Sequence, residues 1–275
     1  MNMKKTAMFA GIALMGFVVC ASALAGEEAS PSVSGSAALG TFNRYIFRGY
    51  RIGRDSLALQ PSVSLSYEGF SVTFWGNIDT CEKATPSFVP DRPGRKSFNE
   101  TDITLAYTKA AGPLSLTAGF IYYGTKYTAE TQEVYVGAGW NVFGKPTLTV
   151  FQDIDAYPGT YFLFTAGQSF PLTRGGITLD LGGSAAYFLG EGDYWKTYVA
   201  AESAYAGDKY RAFHDGMVKA GVTFPLSKHL GLQTLVQAFF PLSAKASRTI
   251  GGVAYNINGN LETVLVFGLN LSYGF

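Results

Sequence analysis

Residues 265–275 read LVFGLNLSYGF, and the whole chain takes its reading from this stretch. Leu265, Phe267, Leu269, Leu271, Tyr273 and Phe275 occupy every second position, with Val266, Gly268, Asn270, Ser272 and Gly274 between them. Side chains alternate across a β-strand, so an extended segment here has one face of large apolar groups and another of mostly small or polar ones. That alternation fits the edge of a soluble sandwich as well as a strand with one face in lipid. A soluble protein seldom leaves a long apolar edge strand uncovered. The rest of the sequence has to show where the face is buried.

At the other end, Lys4 and Lys5 precede an apolar run from Ala7 to Val19, followed by Ala23-Leu24-Ala25. A basic region, a hydrophobic region and a small-residue site predict a secretory leader over residues 1–25, cut after Ala25. A single domain over 26–275 remains. Cys20 raises a lipoprotein alternative, against which stand the bulky Val18 and Val19. With Cys81 then the lone cysteine, neither an internal disulfide nor a cysteine metal site is expected. No segment after the leader has the eighteen or so apolar residues of a membrane helix. Yet 47% of residues are hydrophobic and 15% aromatic, and only 15% are charged, where about 25% is usual for a soluble domain. The balance of 21 basic and 20 acidic residues gives no basic excess for a nucleic-acid partner. An exported, charge-poor, strand-patterned chain points to the bacterial outer membrane, where a closed barrel satisfies its backbone.

About twelve segments alternate, a number within the range of such barrels. They are expected near 33–48, 56–67, 70–79, 100–109, 114–123, 131–142, 147–155, 160–170, 177–189, 213–225, 229–241 and 262–275. Two of them, 147–155 and 229–241, alternate poorly, with Phe151 and Phe239 on the nominal inner face. Short turns at Tyr67–Phe70, Lys109–Pro113, Phe143–Pro146, Leu172–Gly176 and Leu226–Lys228 interleave with mostly longer polar connections. This predicts an all-β, closed, antiparallel up-and-down transmembrane barrel with short periplasmic turns and longer extracellular loops. An even count returns both termini to the periplasm. The stretch 190–212 has strand character around Thr197–Tyr205 and is assigned to a loop or an external hairpin, because a single extra crossing would break that parity.

Aromatic residues support the barrel. Tyr67, Phe70, Tyr107, Trp140, Phe143, Phe170, Phe224, Tyr273 and Phe275 fall beside the short turns or at the C-terminus, as one interfacial girdle would place them. Tyr45, Phe47, Tyr122, Tyr187 and Phe240 are expected to form the other. The alternating apolar residues ending in Leu271, Tyr273 and Phe275 resemble the terminal signal of bacterial outer-membrane β-barrels. That resemblance implies insertion by the barrel-assembly machinery. Residues 36–77, with Tyr45-x-Phe47-Arg48-Gly49, Gln60-Pro61, Gly69-Phe70 and Trp75-Gly76, are similar to a family of uncharacterised proteobacterial outer-membrane-type proteins. The similarity implies location and fold, and carries no activity.

Barrel hydrolases of the phospholipase or deacylase type carry His-x-Ser on one strand face. Here the two histidines stand in His214-Asp215-Gly216 and His229-Leu230-Gly231. Neither has the serine, and on a regular strand His214 and Asp215 point to opposite faces. Both histidines are therefore expected at the surface, and no catalytic, cofactor or metal residue is assigned. The candidates for the lumen are charges on the inner alternation: Arg44, Arg48, Asp102, Glu133, Asp153, Asp155, Asp180, Lys219 and Glu262. Arg44 or Arg48 on the first strand is expected to pair with Glu262 on the last. Opposed lumen charges fit a wet channel for small hydrophilic solutes, and equally a barrel plugged by its own ion pairs. A non-conducting anchor or adhesin working through the loops at 81–99 and 190–212 is the rival reading, and a hydrolase the third. Expected partners are outer-membrane lipid and lipopolysaccharide, the latter through Arg92, Arg95 and Lys96.

Overall fold

The computed structural model describes residues 32–53, 56–82, 92–199, 201–247 and 261–275, with the short pairings of 13–14 with 17–18 and of 249–250 with 253–254. The expected leader and its cleavage position lie outside these residues, apart from that first pairing. Twelve strands form one sheet: β1 (Ser34–Phe42), β2 (Ala58–Tyr67), β3 (Phe70–Asp79), β4 (Ser97–Ala111), β5 (Leu114–Thr125), β6 (Thr131–Trp140), β7 (Thr147–Asp153), β8 (Gly159–Pro171), β9 (Thr178–Gly190), β10 (Arg211–Pro225), β11 (Leu230–Pro241) and β12 (Val264–Gly274). Each pairs antiparallel with its chain neighbours, and β12 pairs with β1, so the sheet is a closed up-and-down barrel. Closure leaves no unpaired edge. At the seam the pairing runs through the terminal residue. Gly35 N donates to the Phe275 carbonyl at 2.8 Å, and Phe275 N donates back to the Gly35 carbonyl at 2.9 Å.

The opening stretch behaves as its alternation requires. Leu265, Phe267, Leu269, Leu271 and Tyr273 point out of the barrel and are exposed, whereas Val264 and Val266 are buried inside. The same outward face continues through Val63, Leu65, Leu105, Val136, Leu148 and Val218. A contiguous apolar surface beyond a few hundred Å² is unfavourable in water, and this one suits a hydrocarbon solvent. Five short connections gather at one end, here the turn end. The tightest joins Tyr67 to Phe70 through Glu68 (φ 46°) and Gly69 (φ 86°), the left-handed pair of a two-residue hairpin. Tyr67, Phe70, Tyr107, Trp140, Phe143, Phe170, Tyr273 and Phe275 are all exposed there.

Three expectations need correction. The first strand ends at Phe42 and not near 48, because the following residues leave the wall and turn into the lumen. Tyr45 and Phe47 accordingly join no outer girdle: Tyr45 is buried, and Phe47 packs against the buried interior cluster. The seventh strand stops at Asp153, so Asp155 lies exposed in a loop instead of facing inward. The 190–212 stretch, by contrast, forms a hairpin separate from the barrel sheet, Lys196–Val199 with Ala204–Lys209, as expected of it.

Candidate functional site

Residues 45–53, YIFRGYRIG, fold as a hairpin inside the barrel. Ile46 pairs with Arg51 and Phe47 with Tyr50, around a two-residue turn of Arg48 (φ 46°) and Gly49 (φ 78°). Left-handed φ at both central residues matches the twist of a tight hairpin, and glycine takes it without strain. Gly49 is also fixed by space: a Cβ there would lie 1.9 Å from the Leu261 side chain and 2.7 Å from Asp215 Cβ. Both flanks of the hairpin carry apolar groups, and Tyr45, Ile46, Tyr50 and Ile52 are buried. Their partners are the inward apolar residues that spoil the alternation of the wall. Ile46 packs with Met217, Phe239, Val264 and Val266, and Phe47 lies against the cluster that contains Phe151. The poor alternation of β7 and β11 is thus the imprint of an inserted segment.

Arg48 sits at the hairpin tip. Its Nη2 donates to Glu133 Oε2 at 2.7 Å. The guanidinium carbon lies 4.4 Å from the Tyr161 ring centre, 5.1 Å from Phe47 and 5.4 Å from Phe151, so the cation is held by ring faces as well as by charge. Tyr123 hydroxyl donates to Glu133 at 2.9 Å. A buried carboxylate between a guanidinium and a phenol is well satisfied. Glu262 pairs instead with Arg51, at 3.3 Å, and Arg44 Nη1 approaches the Leu265 carbonyl at 3.4 Å. The expected pairing of Arg44 or Arg48 with Glu262 is therefore replaced, because neither arginine is on a strand.

His214 and Asp215 also depart from expectation. The register between β9 and β10 shifts opposite Ala186, and this bulge turns both side chains inward, where a regular strand separates them. Tyr161 hydroxyl donates to Asp215 Oδ1 at 2.8 Å. His214 is 1% exposed, with Nδ1 2.8 Å from Tyr210 hydroxyl and the Tyr50 ring at 5.2 Å. A loop-end surface histidine is replaced by one packed on the hairpin. His229 does lie at the exposed turn end, its Nδ1 2.8 Å from the Gly274 carbonyl.

The remaining candidates occupy three places. Asp153 closes the end of β7, accepting from Thr131 hydroxyl at 2.7 Å and from the backbone N–H groups of Asp155 and Tyr157. Asp180 faces inward nearer the turn end, where Ser169, Thr178, Thr223 and Gln233 all hydrogen-bond to it at 2.5–3.2 Å. Lys219 stands within electrostatic reach of Asp180, on the same inner face. Asp102 faces a cavity of about 110 Å³ beneath the hairpin, which Arg44 also lines. A larger concavity of about 620 Å³ lies by Leu179, Val222, Val236, Phe267 and Leu269, away from these charges. It belongs to the apolar outer surface.

Sequence reasoning did not single out Glu82. It is fully buried in the loop after β3, and Arg92 Nη2 reaches its Oε2 at 2.9 Å. Tyr127 hydroxyl bonds both partners. Arg92 is therefore engaged within the protein, while Arg95 and Lys96 are exposed. Pro86 and Pro90 of the same loop lie outside the described residues.

Comparison with known proteins places this geometry in a class. No protein-family model matches the chain, and no curated protein sequence matches it. Among solved structures, a NanC porin superposes with a TM-score of 0.52 at 9% identity, covering 86% of this chain and 98% of that one. An outer-membrane channel from Pseudomonas putida F1 gives a TM-score of 0.47 at 8% identity, over 89% of this chain and 96% of that one. The chain has the fold of the outer-membrane β-barrels.

Proposed function

We propose that this protein is an outer-membrane β-barrel that passes small hydrophilic solutes, with the 45–53 hairpin as its constriction. The observation that carries the reading is the polarity of the inner wall. Ser64 meets Thr73 at 2.8 Å, Asn77 meets Asn99 at 2.8 Å, and hydroxyl and amide groups surround Asp180. Such a wall suits water and solute, whereas a permanently dry lumen is better filled by apolar side chains. On this reading both termini face the periplasm after loss of a leader, and the long loops face outward. The apolar outward residues Leu271, Tyr273 and Phe275 present the strand that the assembly machinery reads. Arg95 and Lys96 are left to meet lipopolysaccharide phosphate. His214 and Asp215 serve packing, and no catalytic, cofactor or metal role is proposed.

The aromatic packing of the hairpin favours a second reading, a non-conducting barrel that anchors its outer loops. Planar-bilayer recording of refolded protein separates the two. Discrete conductance steps are expected, and their absence from well-inserted protein retires the channel in favour of the anchor. Orientation is tested on a Cys81→Ser background. Cysteine at Lys96 or Glu202 should react with a membrane-impermeant thiol reagent on intact cells, and cysteine at Lys228 only after the outer membrane is opened. Labelling at Lys228 in intact cells would invert the assignment.

A further inference from the structure

We infer that the cavity beneath the hairpin is a binding site for a small organic cation, a primary ammonium group. The inference deepens the channel reading by naming the class of solute that the constriction receives. Asp102 projects from β4 into the cavity and is 9% exposed. Its Oδ1 is buried and has no hydrogen-bond partner among the described residues. This sets it apart from the other lumen carboxylates, since Glu133 has Arg48, Asp180 has four donors and Asp215 has Tyr161. A buried carboxyl is costly to ionise unless a donor meets it, and once ionised it only accepts, so a cationic donor is what would let Asp102 carry its charge here. The missing element is a donor, and the surroundings define its charge. Glu100 adds a further negative charge beside Asp102, and the lining also carries Arg44, whose Nη1 approaches the Leu265 carbonyl. With Glu133 held by Arg48, two carboxyl groups stand against one arginine and an anion is disfavoured. The aromatic wall is Trp75 and Tyr45, their ring centres 5.7 Å apart, with Tyr123 beside them, and ring faces attract a cation. Gln60 and Thr104 supply polar groups on the same lining. An ammonium group brings three N–H donors on a compact charge. The volume of about 110 Å³ exceeds several times the roughly 10–15 Å³ that one water needs.

The test uses methylammonium as the probe and the refolded full-length barrel in a non-ionic detergent, so that no detergent headgroup competes. Saturation-transfer NMR titration should show saturable binding of methylammonium and none of acetate. Asp102→Asn should weaken the binding at least tenfold, whereas Asp208→Asn, in the separate 196–209 hairpin, should leave it unchanged. Thr104→Lys, two residues along the same strand face, supplies a tethered ammonium and should abolish it. Heat-modifiable migration on unboiled SDS gels confirms that each variant is folded, and either variant suffices if the other fails to fold. Absence of saturable binding to the wild type, or undiminished binding to a folded Asp102→Asn or Thr104→Lys variant, overturns the inference. Equal saturation by potassium at matched ionic strength also overturns it, since the organic cation would then have no preference. Binding needs no conduction. A conducting barrel that fails to bind methylammonium retires this inference alone, and a binding barrel that fails to conduct retires only the channel.

Discussion

Glu133 and Asp180 are two inward carboxylates that are satisfied in opposite ways. Asp180 draws its donors from the wall itself: Ser169 on β8, Thr178 on β9, Thr223 on β10 and Gln233 on β11. Glu133 takes its guanidinium from Arg48, 85 residues away in sequence, on a hairpin that fills the barrel beside it. A carboxylate satisfied by neighbouring strands leaves the lumen free. One satisfied by an inserted segment narrows the lumen at the same stroke. The two regions show that a carboxylate on the same inner face belongs either to the wall alone or to a segment inserted across it, according to where its donors come from.

The largest effect expected tests that contrast at the hairpin. Arg48→Ala leaves Glu133 buried with only Tyr123 as partner, a change that costs about 3–5 kcal/mol where a buried ion pair loses one member. Urea titration of refolded barrel should show the loss, and bilayer recording should show larger or noisier openings. A stability loss no greater than that of Asp180→Ala would erase the difference between the two regions.

Next comes the lipid-facing comparison, which asks whether the inner wall is wet. Leu269 is half exposed on the outer face, while Asn270 faces the cavity beneath the hairpin. A lysine in lipid near the bilayer middle costs roughly 2–4 kcal/mol, and one on a wet inner face much less. Leu269→Lys should therefore reduce folded barrel in a lipid-refolding titration far more than Asn270→Lys. The reverse order would mean that the lumen is dry at this height. Asp180→Ala is smaller again, about 1–3 kcal/mol for the donors it strands, and water entering from the turn end should soften it further. Refolding midpoints in urea measure this directly.

The smallest effect concerns the loop after β3. Burial pushes the Glu82 carboxyl up, but the hydrogen bonds from Tyr127 and Ser97, with the charge of Arg92, outweigh it and hold the carboxyl below its ordinary range. Its contribution is therefore complete above the unfolded value of about 4.3 and is lost as pH falls through the lower folded value. Hydrogen exchange over residues 92–97 should stay constant from pH 7 to about 5 after correction for intrinsic rates, and accelerate below about 4. Acceleration already at pH 6 would show that another group governs the loop.

Most of the wall was legible in the sequence because strand periodicity is a local property. Leu269 and Asn270 face opposite ways for the reason that any adjacent strand residues do. Turn chemistry at Glu68-Gly69 marked a boundary without help from the rest of the chain. The lumen was not legible to the same degree. The alternation runs on through Tyr45 and Phe47, so these residues read as wall, although Phe151 and Phe239 on the inner face already required apolar partners there. Only closure of β12 on β1 shows an interior wide enough to receive the hairpin. The joint inward turn of His214 and Asp215 was hidden for a related reason, since a bulge is a property of the pairing between β9 and β10 and not of either strand. By itself, then, the sequence determined a twelve-stranded barrel with an apolar outside, because one chain's alternation and turns suffice for that. Which inner charges meet, and whether the interior is open or filled, was decided by tertiary structure, because those contacts join residues that only the closed barrel brings together.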